Sequence, residues 1–123
     1  MITDEIRKEI NQHAHNMGWW DEYDLCKKLL LIVSEACEAM EANRRDKYCK
    51  IDESVLQSWK SLEDDAFVEQ YDMFLKHTFQ EELADIDIRT NDLAYESGVN
   101  MDLHICLKHR YNKIKGKDKG KGY

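Results

Sequence analysis

Two pairs of carboxylates stand where carboxylates are costly. Glu35 and Glu38 follow the apolar run Leu29-Leu-Leu-Ile-Val33, and Glu82 and Asp85 lie inside Phe79-Gln-Glu-Glu-Leu-Ala-Asp-Ile-Asp-Ile-Arg89. On a helix a spacing of three places both members of a pair on one face. Asp/Glu pairs at that spacing occur five times, about what 25 acidic residues in 123 give by chance, so spacing alone decides nothing. The apolar setting does separate these two from the rest, because a half-buried carboxylate needs a cation to compensate it. If the two segments pack together, four oxygen donors converge, a hard set suited to Mg²⁺ or Mn²⁺. The competing reading is that Arg44, Arg45 and Arg89 neutralise these acids in ordinary salt bridges. A di-iron carboxylate site is set aside, since none of the five histidines has a Glu three positions earlier.

The elements that must position these groups are helical. The chain has no proline, and three of its five glycines fall in the last eight positions, so its body lacks the turn signals that strands require. Thr3 caps a first amphipathic helix that carries Ile6, Ile10 and Met17 and ends at Gly18. Asp21 to Asp24 cap a second, from about Leu25 to Arg45, whose Leu29 to Val33 run predicts burial all round and a central place. Residues 46–63 read as an inserted excursion with a short helix around Val55, Leu56 and Trp59. A helical rhythm then runs from Asp64 to Ser97, as one helix or as two split at the capping box Thr78-Phe79-Gln80-Glu81. Gly98 ends it, and Asn100 caps a last helix through about Lys113. The expected architecture is all-α, with four main helices in residues 1–115, a bundle completed by a second copy, and a basic Gly/Lys tail at 116–123.

Charge narrows the partners. Residues 108–123 carry +6, leaving −13 on residues 1–107. An acidic body lacks the positive face that duplex nucleic acid requires. No apolar run is long enough for a membrane span or signal core, which leads us to expect a cytoplasmic protein. Cys26, Cys37, Cys49 and Cys106 form no Cys-x-x-Cys and read as reduced core residues.

Taken in order, Glu35-x-x-Glu38, the string Glu81-Glu82-Leu83-Ala84-Asp85 and the terminal Lys108-x-x-Tyr111-Asn112-x-x-Lys115 resemble the all-α NTP pyrophosphatases of the MazG-like group. The likeness runs from about Trp19 to the carboxyl end. It implies a Mg²⁺-dependent enzyme, with Mn²⁺ a substitute, that cleaves a nucleoside triphosphate to the monophosphate and pyrophosphate and works as a homodimer or homotetramer. By position it makes Glu35, Glu38, Glu82 and Asp85 the metal ligands. Ser34 stands where the family usually has a further Glu, and residues 46–78 are inserted relative to short members, so the substrate preference is not carried over.

With that chemistry in view, Glu38 is the first choice of general base, because a central helix holds it rigidly. Lys108, Asn112 and Lys115 share one helix face and offer two ammonium groups and an amide to phosphates, or else form a solvated basic turn. Arg89, on the stripe of Glu82 and Asp85, either touches phosphate or forms a structural ion pair. Trp19 and Trp20 stack on a base or plug a helix junction. Asp92 joins the metal face or caps the bundle, and the histidines show no usable spacing. Two other functions compete with the first: a non-catalytic helical interaction module, and a pyrophosphohydrolase of another diphosphate-linked nucleotide.

Overall fold

The computed structural model describes residues 2–119, with side chains through Gly116, and among these residues it is all-helical. Six α-helices follow in order: α1 (Asp4–Asn16), α2 (Leu25–Arg44), α3 (Glu53–Ser58), α4 (Asp64–Phe74), α5 (Phe79–Glu96) and α6 (Met101–Lys119). A 3-10 turn, Trp59–Ser61, follows α3. None of these helices is long and apolar enough to cross a membrane.

Local capping chemistry sets most boundaries. The Thr3 hydroxyl accepts from the Ile6 amide at 3.2 Å, Asp24 accepts from Lys27 N at 3.2 Å, and Asn100 Oδ1 accepts from Leu103 N at 3.1 Å. Gly18, at φ +79°, closes α1 with its amide on His15 O, while Trp19 N reaches Ala14 O. The rhythm from Asp64 to Ser97 resolves into two helices. Thr78 Oγ1 caps α5 by accepting from Glu81 N, and His77 before it takes φ +65°, which no continuous helix allows. That split and the short α3 make six helices where four main ones are expected. At the other end α6 runs on through Gly116 to Lys119, beyond the expected stop near Lys113; a helical glycine costs only about 1 kcal/mol and ends nothing by itself. Residues 120–123 of the expected tail lie outside the described residues.

Where length alone suggests one domain, the chain divides into two compact units. The terminal unit joins Met1–Glu22 to Asn91–Tyr123, and the central unit is Tyr23–Thr90. Residues 79–90 of α5 belong to the central unit and residues 91–96 to the terminal one.

A polar network organises the terminal unit. Arg7 donates to Asp102 Oδ1 at 2.6 Å and to Asn91 Oδ1 at 2.7 Å, and Asn11 donates to Asp92 and Glu96. In the central unit α2 buries the stripe Glu35, Ala39 and Ala42, and Trp59 is buried with its ring 6.3 Å from that of Phe74. Large side chains contribute little to either core: the buried apolar residues are Ala14, Trp20, Ala39, Ala42, Trp59 and Ala94.

The apolar run that predicts burial all round is instead open in the chain by itself. Leu30 is 66% and Val33 57% exposed, with Leu29 and Leu31 also exposed, because the buried stripe of α2 lies on another face. The cysteines are free, as expected, but they are not core residues: Cys26, Cys37 and Cys106 are exposed and Cys49 is half-buried.

Candidate metal centre

Helices α2 and α5 bring three of the four singled-out carboxylates together within the central unit. One oxygen each from Glu35, Glu38 and Glu82 lie within 4.8 Å of one another. Glu35 and Glu82 are each only 7% exposed, whereas Glu38 is open to solvent. Asp85, half-buried one turn further along α5, falls outside that close set but is near enough for the charge on Glu35 to act on it.

The site has more negative charge than its own cation can balance. Arg89 Nε donates to Glu35 Oε1 at 2.8 Å, and its charge also acts on Asp85 of its own stripe. Arg44 and Arg45 both engage Glu41, at 2.6 and 2.7 Å, and hold its carboxyl near a pKa of about 2, chiefly through the hydrogen bond from Arg44. The competing salt-bridge reading therefore covers Glu35 and Glu41, while Glu82 has no ion pair among the described residues. Glu35 Oε2 and Glu82 Oε2 are buried and have no hydrogen-bond donor. Such an oxygen is costly unless a proton or a cation reaches it.

Protonation follows from that crowding. Burial and then repulsion from Glu38 push Glu82 up to about 7. Glu38 is raised as well, first by its hydrogen bond with Glu35 and then by burial. For Glu35 burial acts against the charge, but hydrogen bonds from Glu38 and Arg89 prevail and its pKa is lowered. Asp85 is raised by burial and by Glu35. Glu35 thus favours its charged form, while the crowding disfavours charge on Glu38, Glu82 and Asp85. Two orphaned buried oxygens and an all-oxygen donor set fit a hard divalent ion such as Mg²⁺ or Mn²⁺.

Beside the cluster lies an open pocket of about 250 Å³. Besides Glu38 and Glu82, its lining includes Arg45, Lys47 and His77. These three cationic or ionisable side chains were not among the sequence-derived site residues. Their approach depends on how the chain returns after residues 46–78, and no helical spacing encodes it. The His77 ring also comes within 4.8 Å of carboxylate oxygens of Glu81 and Glu82, while Glu81 is held by Tyr71 Oη at 3.0 Å and by its bond from His77 N.

The remaining candidates belong to the terminal unit. Lys108 and Asn112 line a second hollow, of about 400 Å³ and mostly apolar, along α6 with Met101, His104, Ile105 and His109. Asn112 is buried and its Oδ1 has no donor, while Lys108 Nζ lies 4.9 Å from the Tyr111 ring centre. Lys115 is exposed. Trp20 is a buried plug whose Nε1 donates to both oxygens of Asp92 at 3.1 Å; Trp19 is 42% exposed. Asp92 is therefore a structural acceptor inside the terminal unit.

Comparison with protein-family models, with curated proteins and with solved structures gives no match to this chain. The fold and the site define a class only: an all-helical protein with a carboxylate cluster suited to a divalent cation.

Proposed function

We propose that the chain is a Mg²⁺-dependent nucleoside triphosphate pyrophosphohydrolase resembling the MazG-like enzymes. The supporting observation is the meeting of Glu35, Glu38 and Glu82 from two helices, with two buried oxygens that lack any donor. Glu35, Glu38 and Glu82 would hold the ion, and Asp85 would join them through a small rotamer change. When bound, Mg²⁺ supplies neutralisation of the phosphate charge and acidification of a nearby water. Glu38 is the general base in this reading: it is the solvent-exposed member, held on a central helix where a water can reach it. The water oxygen bonds to the α-phosphorus, the bridging oxygen leaves with the β and γ phosphates as pyrophosphate, and the water's proton passes to Glu38. Arg89 keeps Glu35 ionised and oriented.

The reading also includes assembly. Leu29, Leu30, Val33 and Met40 are exposed apolar side chains on α2, and a homodimer or homotetramer would complete the bundle over them. Incubation with each common (d)NTP and Mg²⁺ tests the activity. Monophosphate and pyrophosphate are the expected products, lost in Glu38→Ala. Release of inorganic phosphate, or turnover surviving Glu38→Ala, would refute the assignment.

A further inference from the structure

The pocket beside the cluster combines groups that attract cations with groups that attract anions. Residues 46–78 contribute Lys47 and His77 to its lining. Phe79 N donates to Lys47 O at 2.7 Å and Cys49 N to Gln80 Oε1 at 2.9 Å, which ties the two ends of the excursion together beside the first turn of α5. The two non-glycine residues with positive φ among those described, Asp46 (+53°) and His77 (+65°), sit at these two ends. Such backbone strain persists only where surrounding structure enforces it. Its result is that Lys47 and His77, from opposite ends of the insertion, line one pocket with Glu82.

The cations there are available. Arg45 uses Nε on Glu41 Oε1, and among the described residues its terminal nitrogens have no hydrogen-bond partner; Lys47 Nζ has no carboxylate within ion-pair distance. Glu41 is already matched by two guanidinium groups. Glu82, buried and with a donor-less oxygen, lines the same space, so an anion entering would meet the outer nitrogens of the Glu41-paired Arg45, the Lys47 ammonium and a carboxylate suited to a metal ion. That is the donor pattern of a metal-bridged phosphate. The volume, about 250 Å³, lies below the roughly 300–1,000 Å³ of sites that enclose whole small molecules. It has room for a short phosphate chain.

We propose that Arg45, Lys47 and His77 form a diphosphate subsite, which holds the two terminal phosphates of the substrate and then the pyrophosphate product, and that the insertion exists to build it. This rests on the metal-dependent reading above and assigns the leaving-group end of that site.

Calorimetric titration of the full chain, first with Mg²⁺ alone and then with inorganic pyrophosphate in saturating Mg²⁺, separates the two ideas. In Arg45→Gln/Lys47→Gln, Mg²⁺ affinity should stay within about twofold while pyrophosphate affinity falls at least about tenfold, as expected for losing two charge-assisted contacts. His77→Asn, which tolerates the positive φ, should weaken pyrophosphate several-fold, and Lys47→Arg should retain most of the affinity. Unchanged pyrophosphate binding in Arg45→Gln/Lys47→Gln, with Mg²⁺ binding intact, overturns the subsite and leaves the metal centre standing. Failure of the unsubstituted chain to bind Mg²⁺ overturns both.

Discussion

Replacing Glu82 by glutamine should make the metal-free protein more stable at alkaline pH. In the folded chain burial and the neighbouring carboxylates raise Glu82 from an ordinary 4.5 to about 7. The folded state therefore holds this proton more tightly than the unfolded one. The resulting stability is complete below about pH 4.5 and is lost as pH rises through 7. A shift of that size corresponds to at most about 3 kcal/mol at about 1.4 kcal/mol per pH unit, and to nearer 2 because exposed Glu38 leaves one side of the cluster open to water. The lowered pKa of Glu35 has the opposite sign, but its contribution is complete above pH 4.5 and stays flat across the window. Urea unfolding followed by helical circular dichroism, in chelator from pH 5 to 8, should show the unsubstituted chain losing about 2 kcal/mol more than Glu82→Gln over that range. Titrations outside the cluster are common to both proteins and cancel in the difference, whereas Glu35 and Glu38, whose pKa values depend on Glu82, shift with the substitution and belong to the effect being measured. Parallel pH profiles would refute the argument, since they would mean that Glu82 is not confined among charges in solution.

Other consequences are open to direct measurement. Mg²⁺ or Mn²⁺ at about 100 times its dissociation constant should stabilise the chain by about 2.7 kcal/mol and raise the melting temperature, and Glu35→Gln should abolish most of that gain. Arg89→Met removes the one cation bonded to buried Glu35; it should cost about 2–3 kcal/mol in chelator, and Glu35→Gln added to it should restore much of the loss. Gly18→Ala should cost about 1 kcal/mol in thermal unfolding: φ is +79°, and the new Cβ would stand 2.9 Å from Asp21 Oδ2, a side chain able to move aside. Sedimentation should find a dimer or tetramer that Leu30→Lys dissociates; a monomer at micromolar concentration would remove the argument from the exposed α2 surface.

What the sequence made legible was what short-range chemistry decides. Thr3, Asp24, Thr78 and Asn100 each cap a helix by accepting from the amide three residues on, and Gly18 and Gly98 take the left-handed turn after a helix. The spacing of three set Glu35 and Glu38 on one side of α2, but the apolar run beside them did not mark the buried face, since Leu29, Leu30, Leu31 and Val33 are exposed while Glu35 is buried. Burial was less accessible. Leu29 to Val33 are apolar enough to fill any core, but which face of α2 is covered depends on its packing partners, and the chain alone covers Glu35, Ala39 and Ala42 instead. The cationic lining of the pocket was hidden most completely. Lys47 and His77 are 30 positions apart and share no helix; one backbone bond between Phe79 and Lys47 and two left-handed residues bring them together. Helical spacing can express the carboxylates that α2 and α5 bring together, whereas the cationic side chains beside them depend on how residues 46–78 return to α5, which no helical period encodes.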